Sequence, residues 1–239
     1  MPDRSAVMTA SLVLGAVVVA GAIGAGLYYD STRTESAAAE TVSVYTPPVG
    51  LGGPSAVFIG DSYTSGAGAS EPVKRWTSLV ATDNYWNEEN LGIGSTGYVT
   101  AAAECGGTPC ANYQSVADTA ISLHPRIVVV SGGLNDFTAF VDDPAPVVEA
   151  IYETLGKLRA GLPDARIITV GPSAAGDVPP FITAYESVVR DASAAVGAQF
   201  ISLIDPVDVV TEDMIAPDGI HVDDRGHAAI AERVNEELN

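Results

Sequence analysis

The 239 residues are 47% hydrophobic and 17% charged, which is enough apolar material for one ordinary core and makes a single globular unit with appendages the expectation. Only 11 Lys and Arg stand against 30 Asp and Glu, and a formal charge of -19 repels phosphate backbones and anionic headgroups. No nucleic-acid partner is therefore expected.

Residues 1–30 carry the first predicted element. No charge occurs from Ser5 to Tyr29, and Leu12 to Ala25 is built from Leu, Val, Gly, Ala and Ile. A helix of about twenty such residues matches a hydrocarbon core of about 30 Å, so the stretch reads as a transmembrane helix. Arg4 on its amino side favours a cytoplasmic start with the remainder outside, at the cell membrane. A signal peptide cleaved near Ala37-Ala38-Ala39 is the alternative, with a secreted product, although that site lies well past the apolar run. Residues 31–54 are rich in Ser, Thr, Ala, Pro and Gly without apolar periodicity and read as a flexible linker.

Residues 55–239 read as one domain in which strand and helix alternate. The run Ala56-Val57-Phe58-Ile59 predicts a buried strand that stops at Gly60 and opens into Asp61-Ser62-Tyr63. A helix around Val73 to Thr82 and a strand near Glu88 to Ile93 follow, the latter ending in Asn90-Leu91-Gly92-Ile93-Gly94. Cys105 and Cys110 enclose a four-residue loop, and in an exported chain they read as one short disulfide. A helix over Tyr113 to Leu123 precedes the strand Arg126 to Val130, which ends at Ser131-Gly132-Gly133-Leu134-Asn135-Asp136. Asp142-Asp143-Pro144 starts a helix that stops at Gly161 and Pro163. Then come a strand at Arg166 to Val170, a helix from Pro180 to Val196, a strand at Phe200 to Ile204 and a last helix from Asp223 to Leu238.

Strands separated by helices predict an α/β fold, a three-layer α/β/α sandwich around a five-stranded parallel sheet. The common flavodoxin-like order 2-1-3-4-5 puts the switch point between the first and third strands. The turns holding Ser62, Asn135 and the glycines after the second strand would then share one edge.

A serine hydroxyl that attacks needs a base, and the chain holds His124, His221 and His227. His124 precedes Pro125 at the wrong end of a strand, and His227 lies inside the last helix, where packing or capping is the ordinary role. His221 sits in a loop with Asp218 three residues earlier, near enough to fold back onto Nδ1 and set the tautomer. Oxyanion donors could be the Ser62 N–H, a glycine N–H from the turn after the second strand and the Asn135 amide. Asp61 and Asp136 read as turn braces, and Tyr63 and Trp76 as packing. Two thiols cannot complete a zinc site, and no further carboxylate and histidine cluster suggests a metal, so neither metal nor cofactor is expected.

Gly60-Asp61-Ser62-Tyr63, the glycines of Asn90-Leu91-Gly92-Ile93-Gly94, Gly133-Leu134-Asn135-Asp136 and Asp218-Gly219-Ile220-His221 resemble blocks I, II, III and V of the SGNH/GDSL hydrolase family, in its order. The resemblance implies ester hydrolysis through an acyl-enzyme, with Ser62 as nucleophile, His221 as base, Asp218 as its orienter, and Ser62, Gly94 and Asn135 around the oxyanion. The family usually places its block II glycine one residue later after the asparagine. Gly94 is thus taken here, with Gly92 and Gly97 as alternatives. Substrates would be small acyl esters, lipids or acylated glycans, and transfer of the acyl group is as compatible as hydrolysis. A flavodoxin-like module cradling a phosphate would leave the Asp218–His221 and Gly133–Asp136 segments without a role, whereas a non-catalytic tethered envelope protein would keep the fold with the triad residues present but misplaced. Oligomeric state is not legible.

Overall fold

The computed structural model describes residues 52–102 and 110–239. The expected membrane segment, most of the linker, and Cys105 with its pairing to Cys110 lie outside the described residues. Among the described residues no helix is long and apolar enough to cross a membrane.

Five parallel strands form one sheet: β1 (Ser55–Ile59), β2 (Asn87–Asn90), β3 (Ile127–Ser131), β4 (Arg166–Ser173) and β5 (Gln199–Leu203), in the expected order β2-β1-β3-β4-β5. The helices among the described residues are α1 (Ser62–Ser65), α2 (Trp76–Asp83), α3 (Tyr113–Ser122), α4 (Phe137–Asp142), α5 (Pro144–Gly161), α6 (Pro180–Ala195) and α7 (Asp224–Leu238).

Successive residues of a strand face opposite sides, so each apolar run supplies two cores. Val57, Ile59, Val128, Val130 and Ile167 pack with Val116, Ile151, Leu155, Leu158 and Tyr185 from α3, α5 and α6. Ala56, Phe58, Val129, Ile168 and Ile201 pack on the other face with Trp76, Val80, Ile230 and Val234 from α2 and α7. Burying each large aliphatic chain contributes about 1.5–3 kcal/mol over leaving it exposed, so both faces of the sheet hold it in place. Trp76 is packing, as expected: it is 1% exposed and meets Phe58 edge-on at 5.7 Å.

Several elements differ from the sequence reading for local reasons. β2 ends at Asn90, yet Leu91 N–H and Ile93 N–H still donate to Phe58 and Gly60 carbonyls at 2.8 and 3.0 Å, so the chain runs beside β1 without being a strand. The single helix expected from Val73 breaks at Arg75, whose ψ of 148° is extended; a 3-10 turn over Pro72–Lys74 precedes it and α2 follows. Arg75 turns inward there, within 3.5 Å of Glu88, and the Ser78 hydroxyl donates to the same carboxylate at 2.7 Å. α1 and α4 are four and six residues long, below the length at which apolar periodicity can show.

All three turns expected at the switch point do follow the carboxyl ends of neighbouring strands, because β1 lies between β2 and β3.

Candidate active site

Ser62 is the first residue of α1, directly after the turn that ends β1. Asp61 caps that helix: its carboxylate accepts the Tyr63 N–H at 3.0 Å. It is the turn-former expected, with a second partner besides. The Gly133 N–H donates to its other oxygen at 3.3 Å, so one buried carboxylate joins the Ser62 turn to the turn that carries Asn135. Burial drives its pKa up from 3.8 to about 6 against the pull of those N–H groups. Gly132 and Gly133 both take left-handed backbone, with φ of 98° and 95°, and a Cβ on either would overlap the Asp61 carboxylate or the Tyr185 hydroxyl.

Asp218 and His221 are paired. Asp218 Oδ2 lies 2.6 Å from His221 Nδ1, while its Oδ1 accepts the backbone N–H groups of Ile220 and His221 at 2.9 Å each. Partial burial opposes ionisation, but those two N–H groups and the imidazole outweigh it and hold the carboxyl down to about 2. A carboxylate facing Nδ1 selects the tautomer with the proton there and leaves Nε2 as an acceptor. His221 is partly covered and Asp218 half exposed.

The two halves meet through Tyr63, the residue after Ser62. Its hydroxyl donates to the Ile220 carbonyl at 2.8 Å, and its ring centre lies 6.0 Å from that of His221. Burial pushes the phenol up to about 12, so it stays a donor. Tyr63 therefore does more than pack. Gly68 closes the same seam from the other side: its φ is 89°, and a Cβ there would overlap the Val222 carbonyl and stand 3.2 Å from His221 Cβ. Among the described residues no hydrogen bond joins Ser62 Oγ to His221 Nε2, and neither atom is committed to another protein group. Such bonds are commonly long in unliganded hydrolases and tighten around substrate.

The three block II glycines separate by what their N–H groups do. Gly92 N–H donates to Asn90 Oδ1 at 2.9 Å, and Gly97, which is buried, donates to the Thr100 carbonyl at 2.8 Å. Gly94 is exposed, its N–H has no acceptor among the described residues, and a Cβ on it would stand 3.9 Å from Ser62 Cβ. The Ser62 N–H, at the start of α1, is likewise without an acceptor among the described residues. Asn135 spends one amide hydrogen on the Thr96 carbonyl at 2.9 Å, which fixes the side chain and leaves the other hydrogen free. Thr96 is itself held by its hydroxyl to the Ile93 carbonyl at 2.7 Å.

The remaining candidates are structural. Asp136 accepts Tyr98 N–H at 2.6 Å and Thr100 N–H at 2.9 Å, bracing the loop as expected. His124 lies exposed at the amino end of β3, bonded to the Ser122 carbonyl. Among the described residues no group of three or more His, Cys, Asp or Glu could hold a metal. Sequence reasoning missed the Tyr63 and Asp61 links, because both bridge segments far apart in the chain and carry no local signature.

Comparison with known proteins gives a consistent result. The model of the GDSL-like lipase/acylhydrolase family matches residues 58–229. The chain is 28% identical over 187 residues to GDSL lipase Rv0518 of Mycobacterium tuberculosis, covering 74% of this chain and 78% of that protein. Its fold is similar to that of TesA, with a TM-score of 0.61 at 20% identity, covering 77% of this chain and 98% of TesA. Est24, a carbohydrate acetylesterase from Sinorhizobium meliloti, superimposes with a TM-score of 0.58 at 15% identity, covering 77% and 98%. The chain belongs to the GDSL-like lipase/acylhydrolase family and is a serine ester hydrolase.

Proposed function

We propose that the protein cleaves short acyl esters through a Ser62–His221–Asp218 triad. His221 Nε2 takes the Ser62 proton as Oγ adds to the ester carbonyl, while the Nδ1 proton stays hydrogen-bonded to Asp218. On this reading the oxyanion is received by the N–H groups of Ser62 and Gly94 and the free amide hydrogen of Asn135, and donors of this kind stabilise the charge as it develops. Collapse expels the alcohol, which takes the proton from His221 and leaves Ser62 acylated. Water, deprotonated by His221, then attacks the acyl-enzyme, and Ser62 recovers its proton as the carboxylic acid departs.

The observation that carries this reading is the 2.6 Å pairing of Asp218 with His221 on a loop that Tyr63, next to Ser62, holds by its hydroxyl. An acylated glycan is the substrate class we favour, since a similar fold serves as a carbohydrate acetylesterase in Est24 and the apolar segment of residues 12–25 would tether the enzyme beside an insoluble polymer. On this reading the domain works outside the cytoplasm, where a Cys105–Cys110 bridge would be stable. The test is a screen of aryl esters of increasing acyl length and of acetylated glycan, with Ser62→Ala as control. Release of acetate from glycan and from aryl acetate, abolished by Ser62→Ala, is expected. Preference for long acyl chains would overturn the substrate class, and full activity in Ser62→Ala would overturn the triad.

A further inference from the structure

His227 is fully buried in α7 and takes no part in the chemistry above, yet both its ring nitrogens are spent on the segment that follows Ser62. Nδ1 accepts the Trp76 N–H at 3.3 Å, and Nε2 lies 3.1 Å from the Ala67 carbonyl. One partner is a donor and the other an acceptor, so the ring must be neutral with its proton on Nε2. Trp76 is the first residue of α2, and the residue before it, Arg75, makes no side-chain cap. His227 thus caps α2 from another helix, satisfying an N–H that would otherwise be orphaned in the core.

The other bond reaches Ser62. Ala67 accepts from His227 through its carbonyl and donates its own N–H to the Ser62 carbonyl at 2.9 Å. Two hydrogen bonds therefore run from α7 to the backbone of Ser62, and α7 begins three residues after His221. The exposed rim of the same seam is held by Asp224, which accepts the Ser70 N–H and hydroxyl at 2.7 and 2.8 Å and the Lys74 ammonium at 2.9 Å. An apolar residue at position 227 would fill the space; it would not make these links.

We infer that His227 is a positioning residue, a neutral imidazole clasp that fixes the spacing between the Ser62 turn and the His221 loop. This rests on the reading of Ser62 as nucleophile and His221 as base. Burial keeps the ring below the ordinary imidazole range; the Ala67 carbonyl and the carboxylates of Asp224 and Asp223 pull the other way, and His221 adds to the depression.

The test compares His227→Phe, which keeps bulk and loses both bonds, with His227→Gln, whose amide can accept from Trp76 and donate to Ala67. Steady-state hydrolysis of p-nitrophenyl acetate is measured on full-length protein at a temperature where circular dichroism shows each variant folded. A misplaced nucleophile should lower kcat roughly tenfold or more with KM within about twofold in the Phe variant, and the Gln variant should recover most of the loss. A folded Phe variant with wild-type kcat overturns the inference, as does a Gln variant no better than Phe. Should the Phe variant not fold, Asp224→Ala releases the seam at its exposed rim, where a fall in kcat at constant KM supports the clasp and an unchanged kcat overturns it. Ser62→Ala, run alongside, separates the readings: if it is inactive while His227→Phe is not, the clasp alone fails, and if it is active the triad fails.

Discussion

Replacing Asp61 by asparagine should change how the protein's stability depends on pH. The carboxyl is 1% exposed and its pKa in the fold is about 6, against 3.8 for the free group, because burial disfavours the charge more than the Tyr63 and Gly133 N–H groups favour it. Below 3.8 the group is protonated whether the chain is folded or not. Between 3.8 and about 6 the folded chain keeps a proton that the unfolded chain releases, so this contribution to stability is present in acid and is lost as pH rises through that window. At about 1.4 kcal/mol per pH unit the loss is on the order of 3 kcal/mol, complete by neutrality. Asparagine carries no such proton. Urea unfolding of wild type and Asp61→Asn at matched pH values from 3.5 to 7.5 should show the variant's relative stability rising by about 3 kcal/mol across the window. Taking the difference cancels the other titrating groups, and any fixed cost of the altered hydrogen bonds shifts the whole curve without changing its slope. A difference that is flat with pH, or that grows toward acid, would refute the reasoning.

Three further outcomes follow from the geometry. Asn135→Ala should reduce kcat for p-nitrophenyl acetate by about 10²–10³-fold with little change in KM, as loss of one oxyanion donor does; a kcat within threefold of wild type would remove Asn135 from the site. Gly92→Ala should melt well below wild type, because its Cβ would lie 2.5 Å from the Ser65 backbone nitrogen, whereas Gly94→Ala, with its closest contact at 3.9 Å, should melt within a few degrees of wild type. Equal melting temperatures for the two would contradict the assignment of their surroundings. Tyr63→Phe strips the Ile220 carbonyl of its partner and should cost about 1–2 kcal/mol in urea unfolding, together with a measurable fall in kcat; an unchanged kcat would mean that the His221 loop needs no such anchor.

The sheet was legible where its strands are buried on both faces. Ile127-Val128-Val129-Val130 can be little else, and strands separated by helices call for right-handed crossovers in a parallel sheet, while the order 2-1-3-4-5 came from its being the common one for five such strands. β2 was legible only in position: at the sheet's edge its Asn-Glu-Glu-Asn sequence has no apolar signature, and its central Glu88 is buried by pairing with Arg75 on another element. Asp218 and His221 could be paired on paper because three residues of turn suffice to bring them together. Among the glycines after β2, Gly94 was taken on the family's spacing alone, with Gly92 and Gly97 left open, since the physical distinction lies in which N–H is already taken by Asn90 or Thr100. Tyr63 looked like packing for a similar reason. Its burial is readable from composition, but the partner of its hydroxyl lies 157 residues away.

Covalent labelling with a serine-directed organophosphonate, read by peptide mass spectrometry, addresses the proposed chemistry most directly. The account predicts a single adduct on Ser62, formed more slowly in His221→Ala and Asp218→Asn and absent in Ser62→Ala. An adduct on any other serine, or labelling of Ser62 at an unchanged rate without His221, would contradict it.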